Sequence, residues 1–116
     1  MSATFHDNGL QKIDAEAVHD AVRRIVDAFH PNRIVVFGSY ARGEAGPGSD
    51  LDLFIEMESV LRPIERGVRV REVLSDVRYP LDVAVYTPAD VADARTRFGN
   101  LMSYIDAEGV VVYERP

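Results

Sequence analysis

The chain has 116 residues, a length typical of one domain and sufficient to bury a core without disulfide bonds. It contains no cysteine, which excludes thiolate metal sites, and it carries 13 Lys and Arg against 19 Asp and Glu, a formal charge of -6. This balance argues against general binding of nucleic acid, so no direct DNA binding is expected. No apolar stretch approaches the roughly 20 residues of a bilayer-spanning helix, and the start of the chain lacks a signal-peptide pattern. We therefore expect a cytoplasmic protein without membrane contact.

The first half of the chain predicts one helix, two strands and a loop. Residues 1–12 lack periodicity, so we expect a flexible N-terminus before a single domain over 13–116. Apolar residues recur at helical spacing over 14–29, and the β-branched run 33–37 predicts a buried strand. Four glycines and a proline over 38–48 predict a loop, and residues 50–57 alternate like a strand.

The second half predicts two helices and two strands. A helix is expected over 62–77, with Ile64 and Val68 among its apolar positions. Its arginines most simply form a solvated face, and the alternative that they point at an active cleft stays open. A strand over 80–87, a helix from Thr87-Pro88 to about residue 107 and a strand over 110–114 follow. The element order is α-β-β-α-β-α-β, which predicts an α/β (α+β) fold with a small mixed β-sheet and flanking helices.

Three aspartates form the first candidate site. Asp50 and Asp52 leave the same face of their strand, and Asp82 lies off the apolar register of another strand. If the two strands are adjacent, the three carboxylates converge. Such an oxygen-only set suits Mg²⁺ or Mn²⁺, and Mg²⁺ completes its shell with water and substrate phosphates. The residues therefore predict a metal-bound nucleoside triphosphate, although an isolated D-x-D usually marks only a solvated strand edge.

The glycine-rich loop supplies the candidate nucleotide-binding residues. Gly38 follows a buried strand, where the lack of a side chain lets a phosphate approach the backbone, and Ser39 adds a hydroxyl and an amide. Arg42 is the nearest cation in the loop and could contact phosphate or form a structural ion pair, for example with Glu44. Ser49 precedes the first aspartate, where a local hydrogen bond that shapes the turn is the simpler role.

These residues resemble the DNA polymerase β-like nucleotidyltransferases. Gly38-Ser39, ten intervening residues and Asp50-x-Asp52 reproduce the family's GS-x10-D-x-D spacing, and Asp82 occupies its third-carboxylate position. The stretch GSYARGEAGPGSDLDL and the ending YIDAEGVVVYE are similar to the minimal nucleotidyltransferase (MNT) branch in particular. The resemblance spans about residues 14–114 and implies the polymerase β-like nucleotidyltransferase fold.

The resemblance also implies a reaction, the transfer of a nucleoside monophosphate from ATP to a hydroxyl with release of pyrophosphate. Asp50 and Asp52 would hold two Mg²⁺ ions about 3.5–4 Å apart. Asp82 would complete the metal site on the nucleophile side and accept the hydroxyl proton. Gly38 and Ser39 would hold the terminal phosphates.

The implied acceptor is a second protein. Larger relatives carry an additional domain that presents the acceptor, and here we expect a second polypeptide to supply it. The MNT branch resembles the antitoxin half of HEPN–MNT toxin–antitoxin pairs, in which the nucleotidyltransferase adenylylates a tyrosine on a HEPN ribonuclease and silences it. The resemblance thus implies a partner toxin encoded by a neighbouring gene. Two alternatives stay open: transfer to an aminoglycoside-like small molecule, and a non-catalytic antitoxin that acts by binding.

Overall fold

The computed structural model describes residues 13–116, in which helices cover both faces of a four-stranded mixed sheet. The helices are α1 (Ala15–Phe29), α2 (Pro63–Val73), α3 (Pro88–Ala94) and α4 (Leu101–Glu108), and the strands are β1 (Arg33–Phe37), β2 (Leu51–Glu56), β3 (Leu81–Tyr86) and β4 (Val110–Glu114). The predicted fold class is confirmed. The flexible N-terminus predicted at 1–12 lies outside the described residues. Within them, no helix is long and apolar enough to cross a bilayer.

The sheet order β3-β2-β1-β4 brings three strand ends together. Strand β1 is antiparallel to β2 and β4, whereas β2 and β3 run parallel. The carboxyl end of β1 therefore lies beside the amino ends of β2 and β3. In this register Asp52 is opposite Phe37 on one side and Asp82 on the other. The expected adjacency of the two aspartate-bearing strands is confirmed.

Strand β2 is buried on both faces, which explains its apolar composition. Leu53 and Ile55 belong to the core under α1 and α2, and Phe54 belongs to the core under α3 and α4. The alternation predicted from the sequence is thus present. Because Asp52 shares the face of Phe54, its side chain starts on the side of the sheet that α4 covers.

The prediction of one long helix from residue 88 to about 107 is wrong, because the structure contains two helices there. Thr87 caps α3 as expected, since its hydroxyl accepts a hydrogen bond from the Asp90 amide at 3.1 Å. Gly99 then adopts a φ of +80°, which no α-helix accommodates. Asn100 starts α4 by accepting a hydrogen bond from the Ser103 amide at 3.1 Å.

The burial predicted for the helix after β2 is also partly wrong. The α-helix ends at Val73, short of residue 77, and Ile64 and Val68 are 76% and 50% exposed. Arg66 lies buried instead of on a solvated face. Its guanidinium donates to Asp90 at 2.8 Å and to the Leu61 carbonyl at 3.0 Å, so the charge is paired where it enters the protein.

Candidate active site

The paired starts of β2 and β3 position the predicted carboxylates. Asp52 and Asp82 are direct neighbours in the parallel register, and Asp50 lies just before β2 on the exposed surface. The side chain of Asp82 is 66% exposed, whereas Asp52 is partly buried. The carboxylates therefore share one end of the sheet, with Asp52 innermost and the other two open to solvent.

The pKa of Asp52 is raised above its ordinary value. Partial burial is the largest cause, followed by the negative charges of Asp82 and Asp50, and the positive charge of Arg42 opposes these effects. The carboxylate group thus carries negative charge that its surroundings do not balance. A cation bound between these side chains would relieve both the repulsion and the desolvation.

Gly38 permits the close approach of the loop to Asp52. Its φ is +75°, and a Cβ built on it would overlap Asp52 Oδ2 and lie 3.1 Å from Cγ. The chain then turns tightly, with the Arg42 amide donating to the Gly38 carbonyl at 3.2 Å and the Glu44 amide to the Ser39 carbonyl at 2.9 Å. Ser39 therefore lies at the start of a turn, directly after the glycine that approaches the innermost aspartate. A contact between Ser39 and a nucleotide stays a prediction.

Arg42 ties the glycine loop to α4. Its guanidinium donates to Glu44 Oε1 at 2.8 Å and to the Tyr104 hydroxyl at 2.6 Å. The Tyr104 ring packs edge-on against Phe37, with centroids 6.1 Å apart. The ion pair with Glu44 is one of the two roles that the sequence allows for Arg42, but the contribution of Tyr104 is not evident there. No local pattern links two residues that are 62 positions apart.

Ser49 shapes the turn before the first aspartate. Its hydroxyl accepts a hydrogen bond from the Gly46 amide at 2.9 Å, and its own amide donates to the Gly46 carbonyl at 3.0 Å. These bonds match the local role expected from the sequence. A contact between Ser49 and a nucleotide stays a prediction.

Arg71 is a second neighbour of the site. It is exposed, as expected for the arginines of α2. Its guanidinium also donates to the Leu81 carbonyl at 2.8 Å and lies 3.6 Å from Asp82 Oδ1. The C-terminal end of α2 is thereby linked to the start of β3.

The donor set suits a divalent metal ion. Among residues 13–116, no group of three or more His, Cys, Asp or Glu side chains is arranged so that it could hold a metal ion. Asp50, Asp52 and Asp82 nevertheless offer carboxylate oxygens, which Mg²⁺ uses one or two at a time together with substrate phosphates. The unbalanced negative charge at Asp52 fits the same ion. The assignment of individual ligands stays a prediction.

Comparisons with known proteins bear on the family and the fold of the chain. A family model described as "nucleotidyltransferase domain" matches residues 18–108. The crystal structure of a candidate nucleotidyltransferase from Sulfolobus solfataricus superimposes with a TM-score of 0.59 and 18% identity, covering 84% of this chain and 78% of that one. A toxin–antitoxin structure with AMP-PNP gives 0.48 and 16% identity over 83% and 73%, too weak a likeness to bear on fold or function. No curated protein matches the chain.

Proposed function

The chain belongs to the nucleotidyltransferase domain family, and on this basis we propose that it is a protein adenylyltransferase antitoxin. It transfers AMP from ATP to a tyrosine hydroxyl of a HEPN-type ribonuclease toxin and thereby inactivates the toxin. The observation that carries this proposal is the pairing of Asp52 with Asp82 across β2 and β3, directly beside Gly38. The choice of ATP, tyrosine and HEPN toxin follows the resemblance to the MNT branch.

The loop after β1 binds the leaving end of the nucleotide. Gly38 brings backbone close to Asp52 without a side chain in the way, and Ser39 offers its hydroxyl and amide at the same place. Arg42 is fixed by Glu44 and Tyr104, so its guanidinium is already ordered when a phosphate arrives. Together these groups hold the terminal phosphates.

The proposed reaction takes place at the other end of the triphosphate. It is an in-line displacement at the α-phosphorus. The tyrosine oxygen forms a bond to the α-phosphorus, the bond from that phosphorus to the bridging oxygen breaks, and pyrophosphate leaves. Asp82 accepts the hydroxyl proton, since it is the one carboxylate on β3, its side chain is 66% exposed, and β2 separates it from the glycine loop. Asp50, Asp52 and Asp82 would hold Mg²⁺, which would supply charge stabilisation for the attacking and leaving oxygens.

The openness of the site supports a protein acceptor. Asp50 is exposed and the Asp82 side chain is 66% exposed, so a hydroxyl on a large partner can reach the carboxylates. The acidic balance of the chain, with a formal charge of -6, is compatible with a partner that carries positive charge on part of its surface.

The test is intact-mass spectrometry of the protein encoded by the adjacent gene, after incubation with this chain, Mg²⁺ and ATP. We expect a gain of one or more AMP units at a tyrosine, which is absent with the Asp50→Asn/Asp52→Asn double variant. Modification of an aminoglycoside instead of the protein would contradict the proposed acceptor. Neutralisation of the toxin by the double variant as effectively as by the unaltered chain would contradict a catalytic mechanism.

A further inference from the structure

Helix α2 exposes an apolar stripe that nothing in the described chain explains. Ile64 and Val68 are 76% and 50% exposed, and they lie four residues apart, on one side of the helix. Val60, just before the helix, is fully exposed. Most exposed apolar residues need no explanation when they are single, but Ile64 and Val68 lie together on one side of the helix and indicate a contact surface.

The stripe leads directly to the candidate active site. Arg71 lies seven residues after Ile64 and three after Val68, so it continues the same side of α2 about 10 Å further along the axis. There its guanidinium lies 3.6 Å from Asp82 and donates to the Leu81 carbonyl. The Arg71 side chain therefore connects the exposed apolar surface to the carboxylate of Asp82.

The sheet order places this surface on the side from which the acceptor must come. Gly38 and Ser39 follow β1, Asp52 lies on β2, and Asp82 is the second residue of the edge strand β3. In an in-line displacement the attacking and leaving oxygens lie on opposite sides of the phosphorus. With the leaving phosphates at the glycine loop, the acceptor hydroxyl arrives across Asp82, where no further strand of the described chain blocks it.

We propose that Ile64, Val68 and Arg71 form a docking face for the acceptor protein. This inference rests on the proposed function, and it adds where on the chain the acceptor binds. The partner places apolar side chains over Ile64 and Val68 and carries its modified hydroxyl next to the end of the stripe at Asp82.

The charges on α2 define the partner further. Residues 62–73 contain four arginines and two glutamates, a positive segment in a chain of formal charge -6. Arg66 is paired internally with Asp90, but Arg69 and Arg71 remain exposed beside the apolar stripe. The matching surface is therefore apolar with acidic residues at its rim. A second copy of this chain fits poorly, because a two-fold contact through the same face would set these arginines against each other.

The inference is tested with Ile64→Asp and Val68→Asp, whose side chains are exposed and not part of the catalytic site. Phe98→Asp is the matched control, because Phe98 is fully exposed between α3 and α4. Each variant is incubated with Mg²⁺, ATP and the protein encoded by the adjacent gene. AMP transfer is followed by intact mass, complex formation by size-exclusion chromatography, and nucleotide binding by the thermal shift that Mg²⁺-ATP produces.

We expect both docking-face variants to lose at least tenfold in transfer rate and to lose the complex, with an unchanged thermal shift. Phe98→Asp and the conservative Val68→Ile should behave like the unaltered chain. Transfer at the unaltered rate by Val68→Asp and Ile64→Asp would overturn the docking face while leaving the proposed function intact. If the unaltered chain forms the complex without transferring AMP, the proposed function fails, and loss of that complex in the two variants still supports the docking face. If the unaltered chain neither binds nor modifies the partner, both the proposed function and the docking face are overturned. If the unaltered chain elutes as a dimer and Val68→Asp abolishes that dimer, the face binds a second copy instead.

Discussion

Gly38 and Asp52 lie so close together that any side chain on Gly38 would overlap the Asp52 carboxylate. The glycine is needed for two separable reasons, its φ of +75° and the space that Asp52 occupies. Gly43 shares only the first reason, since its φ is +72° but a Cβ there would meet no atom within 4 Å. The two glycines therefore allow backbone strain to be measured separately from displacement of the site.

Gly38→Ala is expected to inactivate the protein while leaving it folded. Both Gly38→Ala and Gly43→Ala should lower the free energy of unfolding by about 1 kcal/mol, because alanine is strained at positive φ. In Gly38→Ala alone the carboxylate of Asp52 must also move, and misplacement by about 1 Å costs on the order of 100-fold in rate. Urea unfolding and AMP-transfer rates are measured on both variants. Equal activity of the two would contradict a role for the contact with Asp52.

Asp52→Asn should stabilise the metal-free protein at neutral pH although it abolishes activity. Burial and the charges of Asp82 and Asp50 raise the pKa of Asp52 in the folded state above its unfolded value. The folded chain therefore binds this proton more tightly than the unfolded chain, so this group's contribution to stability falls as the pH rises through that range. The gain in stability of the Asp52→Asn variant should accordingly be present at pH 7 and shrink as the pH falls toward the ordinary carboxyl pKa of 3.8.

Asp106→Asn provides a control for which the expected change in stability has the opposite sign. The hydrogen bond from Arg95 holds the pKa of Asp106 below its ordinary value. Its carboxylate therefore contributes stability above the unfolded pKa, and that contribution is lost as the pH falls through the folded pKa. At pH 7 the Asp106→Asn variant should be less stable than the unaltered chain. Urea midpoints at several pH values check both signs, and destabilisation by Asp52→Asn at pH 7 would contradict the unbalanced negative charge at Asp52.

Mg²⁺ and ATP together should stabilise the unaltered chain against heat. A ligand at 100 times its dissociation constant adds about 2.7 kcal/mol to the free energy of unfolding. Asp52→Asn should show little of this effect, because the innermost carboxylate of the proposed metal site is gone. The measurement is a thermal melt with ATP alone, Mg²⁺ alone, both, and both plus EDTA. A shift with ATP that EDTA does not reduce would contradict metal-dependent binding.

The candidate site was largely predictable from sequence because its residues are near each other along the chain or on regular strands. Gly38, Ser39, Asp50 and Asp52 fall within 15 residues, and the period of two along a strand fixes which face each aspartate shares. The position of Asp82 required one further assumption, that β2 and β3 are adjacent, and the register Asp52 opposite Asp82 bears it out.

The contacts that sequence reasoning missed depend on tertiary packing. Tyr104 meets Arg42 only because α4 folds back over β1, and helical periodicity does not reveal the break at Gly99 that separates α4 from α3. The predicted burial of helix α2 fails for a different reason. Its apolar residues at 64 and 68 match helical spacing, but the helix presents its other side to the sheet and buries Arg66 there, since Asp90 compensates the charge. Periodicity alone does not reveal such compensation.

Arg66→Ala is expected to destabilise the fold by about 2 kcal/mol, because hydrogen bonds to charged groups contribute more than neutral ones. The guanidinium is largely buried and bonded to Asp90 and the Leu61 carbonyl, so its removal leaves both acceptors without this donor. Arg62→Ala is the control at the start of the same helix, since the Arg62 side chain is 79% exposed and forms an ion pair with Glu65. It should change stability by no more than about 0.5 kcal/mol. Unfolding in guanidinium chloride gives the stability of both variants. Equal losses of stability would contradict a structural role for the buried arginine.

Arg42→Gln should raise the KM for Mg²⁺-ATP about tenfold with a smaller change in kcat, as expected for loss of one charge-assisted hydrogen bond to phosphate. Tyr104→Phe keeps the ring against Phe37 but removes the hydroxyl that accepts from Arg42 at 2.6 Å. Its KM should therefore lie between those of the unaltered chain and Arg42→Gln, because the guanidinium is present but less ordered.

Glu44→Gln weakens the other anchor of Arg42 and serves as the matched control for ordering alone. If Arg42 serves only to pair with Glu44, Arg42→Gln and Glu44→Gln will lower stability equally and leave the KM for ATP unchanged, and the arginine has no part in binding phosphate. A KM that rises in Arg42→Gln well beyond its rise in Glu44→Gln places the guanidinium on the triphosphate.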